Sequence, residues 1–288
     1  MRHYILYNPL AGNKNKEEHL ATLKIKLDGE CVFCDVTKID NYKNFFFALK
    51  PSDRIIICGG DGTLNRFINE TAELGLPNDI YYYASGSGND FFHDIPGKSA
   101  DEPFLINEYI KELPTVEVKG KTYRFLNGVG YGIDGYCCEE GDKKKELSDK
   151  AVNYTSIAIK GLLFDYKPTN ATVTVDGVSH EFHKVWLAPT MNGRFYGGGM
   201  MITPDQDRLN REHTVSVGIF HDAGKIKTLM IFPSIFKGEH VSHDKYFTTF
   251  KGHEITVRFD RPVALQIDGE TIRNVSEYTV KSFVPAKL

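Results

Sequence analysis

Apolar and polar positions along this chain follow two rhythms. Through residue 118, short β-branched or aromatic runs alternate with stretches in which apolar residues return every three or four positions. The runs over 3–7, 31–36, 54–58 and 79–84 predict strands. Between them, Leu20, Leu23 and Leu27 form one stripe of a helix over 16–27, a second helix is expected over 42–49, and Leu64, Phe67, Ile68 and Ala72 share a face of a third. Strands alternating with helices pair in parallel and form a doubly wound α/β sheet. From residue 119 strands and turn signals dominate. Strands are expected over 122–126, 172–175, 178–182, 184–188, 215–220, 254–259, 263–267 and 277–280, with helices over 148–163 and 223–236. Thr174-Val175-Asp176-Gly177-Val178 carries a two-residue hairpin signal. A second, antiparallel β-sandwich domain follows from this pattern, which leaves 277–280 without a place.

Composition narrows the functional classes. The 288 residues suffice for one large or two ordinary domains, and the net charge of −3 argues against a dedicated nucleic-acid binder. The apolar stretch at the N-terminus is too short for a signal peptide and no run reaches membrane-spanning length, so a cytoplasmic or membrane-peripheral protein is expected. Five cysteines in that setting imply reduced thiols. Cys31 and Cys34 have C-x-x-C spacing, but on a strand they face opposite sides; with Cys58 they are read as core thiols. Cys137-Cys138 has no second pair at zinc spacing.

The candidate chemistry centres on Ile55-Ile56-Ile57-Cys58-Gly59-Gly60-Asp61-Gly62-Thr63-Leu64-Asn65. A strand leads into glycines and a helix follows, a turn that lets a phosphate approach the backbone and meet the helix's first N–H groups. Asp61 would repel a bare phosphate, so it is expected to act through Mg²⁺ carried by a nucleotide; the plainer alternative is an aspartate that caps a helix. A second small-residue turn, Ser85-Gly86-Ser87-Gly88-Asn89-Asp90, ends the 79–84 strand and offers a second wall. Asn8, Thr37 and the Gly59–Thr63 turn fall at strand carboxyl ends, where ligands bind in such sheets.

Farther on, Asn127-Gly128-Val129-Gly130-Tyr131-Gly132-Ile133-Asp134-Gly135 suits a tightly packed strand, and Tyr196-Gly197-Gly198-Gly199 a bulged loop or the mouth of a lipid pocket. Asp268-Gly269-Glu270 reads as a hairpin tip with two carboxylates, rigid enough to hold a base. The apolar, lysine-edged stretch 225–237 is read as a core helix in preference to a membrane-surface segment, and Asp142-Lys143-Lys144-Lys145-Glu146 as a solvated loop in preference to a contact with anionic headgroups.

These residues resemble the soluble lipid kinases with a diacylglycerol kinase catalytic domain, the group that includes sphingosine and ceramide kinases. The likeness covers nearly the whole chain: Asn8-Pro9-x-Ala11-Gly12, Gly59-Gly60-Asp61-Gly62-Thr63-x-Asn65, Gly86-Ser87-Gly88-Asn89-Asp90-Phe91, Asn127 to Asp134, Gly197-Gly198-Gly199 with Pro204, and Asp268-Gly269-Glu270. The first glycine turn is shared with NAD kinases; Gly-x-Gly-Asn-Asp-Phe and the late Asp-Gly-Glu narrow it to lipid kinases. The resemblance implies an α/β ATP-binding domain over 1–118, to which 276–288 returns, and a β-sandwich lipid-substrate domain over 119–275. It implies ATP and Mg²⁺, with Asn8, Pro9, Gly12, Thr37, Gly59, Gly60, Gly62, Thr63, Asn65, Ser87 and Asn89 around the nucleotide. Asp61 would organise the metal with support from Asp90 and Asp134, and Glu270 would be the base. The acceptor would be a lipid alcohol, diacylglycerol foremost, yielding phosphatidic acid. The implied partners are that substrate and a membrane surface; nucleic acid is excluded and a homodimer is compatible.

The chain departs from the family pattern at Ala84, where proline is usual, at Ser87 for threonine, and at His93 for arginine. The acid pair expected after Pro204, which holds a structural Mg²⁺ in many bacterial members, is replaced in Asp205-Gln206-Asp207-Arg208-Leu209-Asn210-Arg211-Glu212. Two other readings stay open: an NAD kinase-like phosphotransferase with a soluble acceptor, and a non-catalytic nucleotide- or lipid-binding homologue.

Overall fold

A computed structural model describes residues 2–9, 16–147, 152 and 154–284. The chain divides into two compact units, Met1–Glu112 and Leu113–Leu288.

In the first unit β1 (Arg2–Tyr7), α1 (Lys16–Lys26), β2 (Glu30–Asp35), α2 (Tyr42–Phe47), β3 (Arg54–Gly59), α3 (Asp61–Thr71), β4 (Ile80–Ala84), α4 (Asp90–Asp94), β5 (Phe104–Leu105) and α5 (Asn107–Ile110) follow in order. The sheet runs β2-β1-β3-β4-β5, with the first four strands parallel and β5 antiparallel at the edge. Ile55, Ile56 and Ile57 are all buried, as a central parallel strand covered on both faces requires. The predicted strands and helices of this unit lie where the periodicity put them. Strand β2 is the sheet edge, which leaves Cys31 and Cys34 half-buried; Cys58 is in the core.

The second unit contains β6 (Thr115–Val118), β7 (Lys121–Arg124), β8 (Gly128–Tyr131), α6 (Ile133–Leu147), α7 (Tyr154–Lys160) with a π-helical turn (Gly161–Asp165), β9 (Thr169–Val175), β10 (Val178–Val185), β11 (Thr190–Met191), β12 (Phe195–Tyr196), β13 (Met200–Met201), β14 (Val215–Phe220), α8 (Lys225–Ile231) with a 3-10 turn (Phe232–Lys237), β15 (Phe247–Gly252), β16 (Glu254–Ile267) and β17 (Glu270–Lys281). One antiparallel sheet runs β15-β14-β11-β8-β16-β17-β6-β7, with the β9-β10 hairpin branching from β16. The branch makes it sandwich-like. Ile255 to Phe259 of β16 pair with β9, whereas Leu265 to Ile267 pair with β8. The register shifts between these halves, where Pro262 supplies no ladder N–H. Val173, Val217, Val257, Leu265 and Val280 then enclose one core.

Three expectations need correction. The spans 254–259 and 263–267 are one strand, and likewise 178–182 continues through Val185 as β10, with 186–188 outside it. Residues 276–281 do not return to the first unit: the two-residue hairpin after Ile267 commits β17 to pair with β16 along its length and then with β6, which draws 115–118 into the second unit as well. The segment after Tyr131 is not a continuing strand with a solvated loop but the helix α6. Of the helix expected over 148–163, the described part is α7 and its π-helical turn; 148–151 and 153 lie outside the described residues.

Helix α6 lies against β16 through Gly135, where a methyl group would overlap the Ala264 carbonyl. Gly135→Ala is therefore expected to destabilise the second unit by about 2 kcal/mol. Trp186, the sole tryptophan and fully buried in this unit, reports it: the urea midpoint of its fluorescence should fall. An unchanged midpoint would refute the packing of α6.

Candidate functional site

Parallel pairing sets the strand ends of the first unit level. Tyr7 is in register with Asp35 and Cys58, and Gly59 with Ala84. The residues that follow each strand therefore share one edge: Asn8 and Pro9 after β1, Thr37 after β2, Gly60 to Thr63 after β3, and Ser85 to Asn89 after β4. Gly12 lies outside the described residues. Thr37 turns back on β2, its amide and hydroxyl both donating to Asp35 Oδ1 at 2.9 and 2.6 Å. That hydroxyl is the main reason the Asp35 carboxyl sits below its ordinary range.

The two glycine turns touch backbone to backbone. A methyl on Gly60 would stand 3.1 Å from Gly86 Cα, and one on Gly86 would overlap Gly60. Asn89 closes the second turn: its side chain accepts from the Gly86 amide at 3.0 Å and donates to the Gly86 carbonyl at 2.9 Å, with its own backbone left-handed at φ 52°. Asp61 staples the turns together. Its Oδ2 accepts the Asp90 amide and its Oδ1 the Phe91 amide, each at 2.9 Å. The carboxylate at the start of α3 thus caps α4, satisfying N–H groups that a helix start leaves unpaired. Gly62 faces open space, and Ser87 and His93 are exposed. Asn65 and Asp90 are buried on this side, and beneath them the Tyr82 hydroxyl is fully buried without a hydrogen bond. Burial, with Asp61 next in effect, pushes that phenol far up.

The second unit holds the remaining acids. Asp134, in the first turn of α6, is buried, and burial pushes its carboxyl up to about 6. Its Oδ1 accepts the Gly135 amide at 3.1 Å. Its Oδ2 has no hydrogen bond; the buried Tyr196 hydroxyl faces this carboxyl without closing one. Asp268 and Glu270 differ in fate. Asp268 accepts the amides of Leu126, Asn127 and Gly128 at 2.5, 2.9 and 3.0 Å. Gln266 Oε1 accepts the Gly269 amide at 2.6 Å, and Thr271 donates to Asp142 at 2.7 Å. The tip is pinned on three sides and leaves the Glu270 side chain exposed.

The structure thus brings Asp61, Asp90, Asn89 and both glycine turns together in the first unit, and holds Asp134, Asp268 and Glu270 in the second. Among the described residues no group of three or more His, Cys, Asp or Glu gathers to hold a metal. The capping alternative for Asp61 is met, with the distant α4 as the helix capped, and two roles went unseen in the sequence: the Asp268 clamp and Arg208. Arg208 donates to the Leu126 carbonyl and to Asn127 Oδ1, each at 3.2 Å, from the loop where the family pattern has an acid pair. The residue types gave a hint, an acid before glycine and an arginine in place of acids, but the partners lie too far along the chain to be read.

The diacylglycerol kinase catalytic domain matches residues 2–116, and the YegS C-terminal NAD kinase beta sandwich-like domain matches residues 127–288. The chain is 24% identical over 301 residues to the candidate lipid kinase YtlR of Bacillus subtilis (strain 168), covering 93% of this chain and 92% of that one. It is 25% identical over 260 residues to the diacylglycerol kinase of Mycobacterium tuberculosis (strain ATCC 25618 / H37Rv), covering 85% and 81%. In fold it is similar to a crystal structure of a diacylglycerol kinase from Bacillus anthracis str. Sterne, with TM-score 0.64 and 19% identity over 99% of this chain and 97% of that one. No helix among the described residues is long and apolar enough to cross a membrane. With its two halves matched in order by these two domains, the chain belongs to the diacylglycerol kinase-like family of lipid kinases.

Proposed function

We propose that the chain is an ATP-dependent lipid kinase that transfers the γ-phosphoryl group of Mg-ATP to a lipid hydroxyl, with diacylglycerol as acceptor and phosphatidic acid as product. The observation that carries this reading is the pair of glycine turns, level at one sheet edge, touching at Gly60 and Gly86 and tied by Asp61. A helix start favours an anion, and at the start of α3 a side chain on Gly62 would meet nothing within 4 Å, which leaves room for a phosphate. Asn8, Pro9, Thr37, Ser87 and Asn89 would flank the nucleotide at the same edge.

Mg²⁺ belongs to the substrate in this reading and would offset charge on the phosphates. Asp61 fits a water-mediated contact to such an ion better than a place in a protein-built cage, because each of its oxygens already accepts one amide. Asp90 would support that contact. Asp134, buried against Tyr196, is better suited to shaping its own unit than to touching a hydrated ion. Phosphoryl transfer passes through a loose transition state, so positioning and charge stabilisation carry most of the catalysis. Proton removal is the smaller part and falls to Glu270, whose carboxylate is presented by an immobilised tip.

The test is phosphate transfer from ATP to a panel of lipid alcohols in mixed micelles. Transfer to diacylglycerol is expected. Saturable transfer to NAD with none to any lipid would replace the proposal with a soluble-acceptor kinase. Glu270→Gln should lower kcat by about a hundredfold or more, with the KM for ATP near wild type and the circular dichroism spectrum unchanged; full activity would move the base elsewhere. Asp61→Ala should abolish turnover and also loosen α4 by about 1 kcal/mol, seen as faster amide exchange at Asp90 and Phe91. Wild-type rates of transfer would overturn the role of Asp61, and unchanged exchange would overturn its capping.

A further inference from the structure

Helix α8 and the 3-10 turn after it are apolar on two faces. Thr228, Ile231, Phe232 and Ile235 are buried and form the inner stripe. The opposite stripe, at the same helical spacing, is Ile226, Met230 and Pro233, with Ile226 78% and Met230 70% exposed. The stretch is thus a core helix on one side, as expected from the sequence, and an uncovered apolar surface on the other. A second segment lies beside it. The Lys225 ammonium donates to the Leu163 carbonyl at 2.9 Å, tying the start of α8 to the π-helical turn after α7. That turn carries Phe164, 70% exposed, and α7 carries Ile159, 44% exposed.

The two segments carry more lysines than acids. Residues 154–167 and 225–245 hold Lys160, Lys167, Lys225, Lys227, Lys237 and Lys245 against three acids, Asp165, Glu239 and Asp244. Large apolar side chains in water beside an excess of ammonium groups match an anionic lipid interface, which takes the first into its acyl boundary and the second at its headgroups. We propose that the outer face of α8, with Phe164 and Ile159 beside it, is the surface by which the protein docks on an anionic bilayer. The proposal rests on the reading of the acceptor as a lipid held in that bilayer.

The test is sedimentation of the full chain with vesicles, without nucleotide, so its outcome is independent of phosphoryl transfer. Wild type should partition onto phosphatidylcholine–phosphatidylglycerol vesicles and only weakly onto phosphatidylcholine alone, with binding reduced by added salt. Ile226→Gln with Met230→Gln should weaken binding by at least about tenfold. Both side chains point away from the core, so the fold should be kept, and activity on a short-chain, water-soluble diacylglycerol should be unchanged. Lys227→Gln with Lys237→Gln should erase the preference for anionic vesicles. Wild-type binding by the Ile226/Met230 variant, or no preference for anionic vesicles in wild type, would overturn the assignment. So would a change of oligomeric state in that variant with vesicle binding intact, which would make the face a contact between copies.

Discussion

Sharp turns strand backbone N–H groups, and such groups need acceptors when neither solvent nor a ladder supplies one. At both candidate sites this chain meets the constraint with the same device, an aspartate followed by glycine whose carboxylate reaches a distant stretch of main chain, and Asp176 repeats it by accepting the amides of His253 and Glu254. Asp61 accepts the amides of Asp90 and Phe91; Asp268 accepts those of Leu126, Asn127 and Gly128. The first contact holds together two glycine turns that meet backbone to backbone at Gly60 and Gly86. The second fastens the β16–β17 hairpin to the segment entering β8. Arg208 and Asn192 then take the Leu126 carbonyl from the other side, so that this peptide stretch is bound through both its donors and its acceptor. The candidate site of each unit is built outward from one of these clamps.

What the sequence disclosed follows from how far each signal reaches. The first unit was legible because its elements announce themselves locally: Ile55-Ile56-Ile57, short and β-branched before a glycine turn, reads as a buried strand, and Leu64, Phe67 and Ile68 lie on one helical stripe. Level strand ends follow from parallel pairing, so the shared edge of Asn8, Thr37, Gly60 and Ser87 was legible too. Helix α6 was not. Its two glycines, Gly135 and Gly141, argue against a helix, and most of its residues are polar. Each glycine is there for packing: a side chain at Gly135 would overlap β16, and one at Gly141 would crowd the Tyr154 ring. Tertiary contact overrides propensity, and it acts through partners that no local window contains. The same distance hid the Asp268 clamp, whose donors lie 140 to 142 residues away in sequence.

The clamp also supports the proposal that Glu270, and not Asp268, is the base at the hairpin tip. A general base needs an unoccupied oxygen and a fixed origin. Asp268 is fixed but occupied, since three amides share its carboxylate, and drawing it toward a substrate would release all three. Glu270 begins β17 in register with Ile267, two residues beyond the clamp, and its side chain is exposed. It inherits a fixed backbone from Asp268 while its own carboxylate stays available. In the proposed reaction Asp268 is therefore the positioning residue and Glu270 the group left to meet the substrate. Loss of the Asp268 clamp would disturb Glu270 without removing it, whereas loss of Glu270 would leave the clamp in place.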